Sequence, residues 1–113
     1  MNRILNGFVF FDETSTSTTS NPLANPNNAS TIVITVSGLT AAGGSLSIEA
    51  LNDLSRKDTY FPISAIGLFD YDVYQTITED GIYVIPFEGL YRCRMNSSIA
   101  PGSFKVYGLS IEG

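Results

Sequence analysis

The chain has no histidine, no tryptophan and a single cysteine, and only 15% of its residues are charged. Each shortage removes a class of chemistry. Without histidine there is no Ser-His or Cys-His nucleophile pair and no imidazole metal ligand. The lone cysteine, Cys93, has no partner for an internal disulfide, so stability must come from the core or from association. A soluble domain is usually about 25% charged. A chain this poor in charge covers its surface with Ser, Thr and Asn, or with partners. Six Lys and Arg stand against eleven Asp and Glu, giving a net charge of -5 and a pI near 4.3. Such a chain has no general attraction for nucleic acid or anionic membrane. No apolar run reaches the roughly 18 residues that a membrane-spanning helix needs. At the N-terminus, Arg3 is followed only by a short apolar stretch broken by Asn6 and Gly7, which does not read as a signal peptide.

What the sequence does contain is strand pattern. Its 113 residues, 43% hydrophobic, suffice for one core. The stretch Thr78 to Met95 organises the rest. The turn Glu79-Asp80-Gly81 launches a strand over Ile82 to Phe87, and a second turn at Glu88-Gly89 returns the chain through Leu90 to Met95. Two apolar runs joined by a short Gly-containing turn read as a β-hairpin. The second arm alternates, with Tyr91, Cys93 and Met95 on one face and Arg92 and Arg94 on the other. The first arm is apolar on both faces, which requires cover from its own core and from something else.

Further strands are expected at Thr31–Leu39, Ser45–Leu51, Thr59–Ile63, Tyr71–Ile77 and Ser103–Ile111, with Asn52–Asp58 as a polar loop. Pro62 places its strand at an edge or a bulge. The expected core includes Ile34, Ile48, Val84, Cys93 and Val106, with Phe104, Leu109 and Ile111 also turned inward. Seven or eight short strands at this spacing, with no sustained helical period, define an all-β fold. The expected form is a single antiparallel β-sandwich of jelly-roll or Ig-like type.

The N-terminal part differs in composition. Phe8 to Phe11 is a short apolar strand, and Glu13 to Ser30 is rich in Ser, Thr, Asn and Pro, with Leu23 as its one sizeable apolar group. That segment buries too little to offset its own ordering entropy. Residues 1–30 therefore read as an extended arm that contacts a partner, and residues 31–113 as the sandwich. The alternative is that Phe8 to Phe11 is the sandwich's own first strand and the polar segment a long loop.

Few residues suggest chemistry. Cys93 lies on an inward face with no base nearby in sequence, and reads as a small core residue. Asp70, Asp72, Glu79 and Asp80 form the densest acidic group. They read as a solvated face or turn, against calcium ligation or acid–base catalysis. No catalytic, cofactor or metal site is expected. Arg92 and Arg94 project together as exposed strand residues, or as partners for an acidic neighbouring subunit.

The motifs SGL at Ser37 to Leu39, SLSIEALND at Ser45 to Asp53, EDGIYVIPFEGLYRCRM at Glu79 to Met95 and GSFKVYG at Gly102 to Gly108 resemble the small β-sandwich virion proteins of tailed bacteriophages, of the capsid decoration (cement) and head-fibre type. The loop after Asp53 departs from one common version in lacking Gly and an aromatic. The resemblance implies a non-enzymatic protein made in the bacterial host cytoplasm and bound to the capsid surface. It implies the major capsid protein as partner, self-association as a trimer, and no dealings with nucleic acid or membrane. The contact candidates are Phe8, Phe10, Phe11, Leu23, Arg92 and Arg94. A carbohydrate-binding or host-attachment module of a fibre or tail is the alternative.

Overall fold

The computed structural model describes residues 3–24, 29–51, 59–88 and 90–112; the expected loop Asn52–Asp58 lies outside them. In chain order the described strands are β1 (Arg3–Phe11), β2 (Leu23–Ala24), β3 (Ala29–Ser37), β4 (Leu46–Leu51), β5 (Phe61–Ile63), β6 (Ala65–Gly67), β7 (Val73–Tyr74), β8 (Thr76–Ile77), β9 (Gly81–Pro86), β10 (Arg92–Ser97) and β11 (Lys105–Glu112). A short helix, α1 (Leu39–Ala42), follows β3. The β-branched run of β3 buries Ile32, Ile34 and Val36 and turns Val33 and Thr35 outward. It pairs antiparallel with β11 on one side and β9 on the other. The resulting six-stranded sheet has the order β1-β11-β3-β9-β6-β7. A five-stranded sheet faces it, in the order β2-β10-β4-β5 with β8 beside β4. Pro62 sits on the edge strand β5, where a missing N–H costs least.

Between the sheets lies one apolar cluster. Phe11, Phe87 and Phe104 are its largest fully buried members, and the rings of Phe11 and Phe104 meet edge to face at 5.3 Å. Ile34, Ile48, Cys93 and Val106 are all buried, as expected. The fold is an all-β sandwich.

Four expectations change. Ile82–Phe87 and Leu90–Met95 do not form a hairpin: β9 pairs with β3 and β6, whereas β10 pairs with β4 and β2. The connection crosses between sheets and is fixed from outside. Phe87 and Glu88 donate their N–H groups to the Ser30 carbonyl, and Tyr91 donates to that of Leu51. Period-two alternation identifies strands but not their partners. Val84 is only half-buried, because β9 turns Tyr83 and Ile85 inward instead. The buried Tyr83 hydroxyl is satisfied by the Glu79 carbonyl at 2.7 Å, so a polar atom did not exclude that register. Leu109 likewise faces out, at 40% exposure, and Ile111 shares its face; Gly108 and Ser110 take the inward positions.

The largest correction concerns the N-terminal segment. β1 runs along β11 from Arg3↔Glu112 to Phe11↔Val106, which places Phe10 and Phe11 in the core. The polar segment then runs along β10. Ser20 donates its N–H to the Met95 carbonyl, Met95 donates back to the Ser20 hydroxyl, and Leu23 pairs with Cys93. A boundary at residue 30 would cut through β3. Residues 3–24 supply one edge strand to each sheet, β1 and β2, and are not an arm held away from them.

One acidic residue of the expected solvated group has a structural task. Gly38 opens α1 at φ 80, where a Cβ would also strike the Ser103 carbonyl. The Asp80 carboxylate accepts the N–H groups of Gly38, Leu39 and Thr40 at 2.7 to 3.1 Å, capping α1 from the turn before β9. Thr40 Oγ1 accepts the Asp80 N–H in return. These bonds, that of Thr40 foremost, hold the carboxyl below its ordinary 3.8.

Two outcomes follow. Deleting residues 1–30 should expose Phe104 and Val106 and yield protein without a cooperative thermal transition, read by circular dichroism; a stable, soluble truncation would restore the arm. Asp80→Ala should cost about 1 kcal/mol at pH 7, as for a lost helix cap. Because the folded carboxyl has the lower pKa, its contribution is complete above the ordinary value and disappears as pH falls through the folded one. Urea denaturation at pH 7 and pH 3 should therefore show the wild-type advantage shrinking in acid.

Candidate docking surfaces

The pleat of the six-stranded sheet leaves its outer side chains uncovered, and register aligns them. Leu109 lies opposite Val33, Val33 opposite Val84, Val84 opposite Ile66, and Ile66 opposite Val73. An apolar row thus crosses five adjacent strands. On one side of it, Val9, Tyr107, Thr35 and Ile82 form a parallel row; on the other lie Ile111, Thr31 and Pro86. These rows contain no charged residue. Beyond them Lys105 is paired with Glu13 at 3.6 Å.

A second surface is the loop from Gly67 to Tyr74. It uses its polar groups on itself. Gly67 donates to the Asp72 carbonyl, Tyr71 to the Gly67 carbonyl, and Leu68 to the Ile82 carbonyl of β9. The Asp70 carboxylate accepts the Asp72 N–H and the Tyr74 hydroxyl. Those bonds, Tyr74 first, hold the Asp70 carboxyl below its ordinary range, and the same contact pushes the Tyr74 phenol up to about 12. A Cβ at Gly67 would enter the space of the Asp70 carboxylate and force that side chain to shift. Tyr71 occupies the left-handed region at φ 59. The apolar side chains point into solvent: Phe69 and Tyr71 are each 79% exposed and Val73 68%. The sequence pattern hid this display, because Tyr71 to Ile77 alternates like one strand, whereas Tyr71 lies in the loop and strand pairing begins at Val73. The residue types Gly-x-x-Asp-x-Asp, typical of turns, are the signal that could have found it.

The third surface is the outer side of the five-stranded sheet, which carries the expected Arg92 and Arg94. Arg94 is engaged within the chain: its Nε lies 2.5 Å from Glu49 on the paired strand, and its guanidinium stacks 3.8 Å from the Tyr60 ring centre. Arg92 lies over Tyr91 at 5.0 Å. Among the other expected contact residues, Phe10 and Phe11 are buried and offer no surface. Phe8 packs over Gly108, and Leu23 covers the core beside Cys93. Burial pushes the Cys93 thiol up to about 12, which removes its nucleophilic form at neutral pH. The acidic group splits: Asp80 caps α1 and Asp70 braces the loop. Among the described residues, no three Asp, Glu or Cys converge as a metal site. A recess of about 230 Å³ beside Phe10, Phe11 and Ser15 is smaller than the usual ligand pocket of about 300 Å³ or more.

No family model matches the chain, and no curated protein matches it in sequence. Solved structures do match its fold. The SPBc2 prophage-derived protein YomS superposes with a TM-score of 0.80 at 10% identity, over 99% of this chain and 96% of that one. The PBSX exported protein XepA superposes with a TM-score of 0.79 at 17% identity, over 98% of this chain. This chain spans only 38% of XepA, so there the same sandwich is one portion of a longer protein. At these identities the likeness is one of fold: the whole chain, β1 included, has the architecture of a prophage-derived protein.

Proposed function

We propose that the chain is a non-enzymatic phage virion protein that binds the outer surface of a capsid, through the major capsid protein, and reinforces it. The observation that carries this reading is the Gly67–Tyr74 loop. Two aromatic rings stand in solvent on a loop whose backbone is braced by its own hydrogen bonds. Rigid exposed aromatics are the residues that dominate protein interfaces, because they bury large area at little ordering cost. The end-to-end fold likeness to a prophage-derived protein and the sequence resemblance to cement proteins supply the phage context. The mechanism is additive. Each copy contributes apolar burial at about 25 cal/mol per Å², less ordering costs, and many copies on one shell act together.

The same loop supports a second reading, a carbohydrate-binding or host-attachment module. Phe69 and Tyr71 beside the exposed Asp70 and Asp72 offer ring faces and hydroxyl acceptors to a sugar.

Cosedimentation of the purified protein with intact capsids separates the two. Retention at a fixed ratio per capsid subunit is expected, with Phe69→Ala/Tyr71→Ala weakening it by about thirtyfold, as for one interface hot spot. Absence of retention, together with glycan binding lost in the same variant, would install the second reading. Retention unaffected by the double substitution would move docking away from the loop.

A further inference from the structure

We infer that the outer face of the six-stranded sheet is covered by a second copy of this chain, the two sheets packing face to face about a two-fold axis between β3 and β9. The inference is independent of what the Gly67–Tyr74 loop binds.

Charge selects the occupant. The chain carries a net charge of -5, so two copies repel one another wherever acidic surface meets acidic surface. The apolar rows across this sheet lack charge altogether, and the flanking Lys105 is already neutralised by Glu13. Here two copies meet without that penalty. A cationic partner, which the rest of the surface would attract, gains nothing electrostatic from this face.

Shape and size agree. Face-to-face sheets pack best when their strands lie within about 30° of each other, an angle set by the twist of each sheet. A second copy supplies the same twist. The two-fold axis places Val33 of one copy near Val84 of the other and Leu109 near Ile66, so that each bulky position meets an apolar one. Strands about 4.8 Å apart rising about 3.4 Å per residue, nine residues long in β1 and β3, eight in β11, six in β9, three in β6 and two in β7, outline a face of about 600 Å². That matches the lower end of stable interfaces, roughly 600 Å² per partner. The same pairing accounts for β9, which is apolar on both faces: Tyr83 and Ile85 serve the core, and Ile82 and Val84 serve the second copy. The symmetry is two-fold, where the resemblance to cement proteins implied a trimer.

Sedimentation equilibrium of the full chain at tens of micromolar tests it. The expected species has twice the 12.2 kDa chain mass. Leu109→Lys and Val73→Lys, at positions 40% and 68% exposed, should leave the thermal transition in place and weaken the dimer by about tenfold or more. Phe69→Ala/Tyr71→Ala should leave the dimer intact. A monomeric or trimeric wild type overturns the inference. So does a dimer that survives both lysine substitutions.

Discussion

The pairing of β3 with β11 on one side and β9 on the other decides which way almost every apolar side chain of the six-stranded sheet points. A strand has two faces, and the molecule has one core to cover them. Once Ile32, Ile34 and Val36 turn inward, register forces Val106 and Tyr83 to follow, and Val33, Leu109 and Val84 to face out. A shift of one residue would exchange those sets. The inward set wins because it meets Phe11, Phe104 and Phe87, whose rings fill the space between the sheets. The outward set is the consequence: a β-rich sequence with more apolar positions than one core can use.

The N-terminal segment shows the same constraint from the side of the edges. An open sandwich exposes unpaired N–H and C=O groups along its outermost strands. β1 covers β11, and the polar segment then crosses to cover β10. Counting apolar side chains undervalued this stretch. Its attachment relies on backbone pairing and on small hydroxyls: Thr19 donates to the Asn96 side chain at 2.8 Å, and Ser20 completes a reciprocal pair with Met95. Composition separates residues that fill a core from those that do not. It does not show which polar residues complete a sheet edge.

The longer strands, the all-β class, the edge position of Pro62 and the burial of Cys93 were legible because each rests on local periodicity or on one residue's covalent limits; Tyr71–Ile77, expected as one strand, is a loop residue followed by the short strands β7 and β8 in different sheets. Partnership was not. Two apolar runs around Glu88 look alike whether the chain folds back in one sheet or crosses to the other, and the difference lies in distant carbonyls at Ser30 and Leu51. The same holds for Asp80, whose role as a cap depends on Gly38 lying beside it in space. Where a strand is apolar on both faces, as in β9, alternation carries no information about which face is inside. That is the place where the sequence reading of Val84 failed.

The Gly67–Tyr74 loop differs from the sheet face in how its apolar groups came to be exposed. On the sheet, exposure follows from the pleat and needs no special backbone. In the loop, the chain holds Tyr71 in the left-handed region, which non-glycine residues adopt at a cost of order 1 kcal/mol or more. Such a conformation persists only if its surroundings fix it, and they do so through Gly67, Asp70 and Tyr74. The return is not burial, since Tyr71 and Phe69 remain in solvent. What the arrangement fixes is the backbone that carries both rings, so less loop ordering remains to be lost on contact. The two surfaces therefore suit different tasks. The sheet face is broad, uncharged and self-matching, fit for permanent cover by an identical copy. The loop is small, rigid and flanked by carboxylates, fit for a defined position on something else.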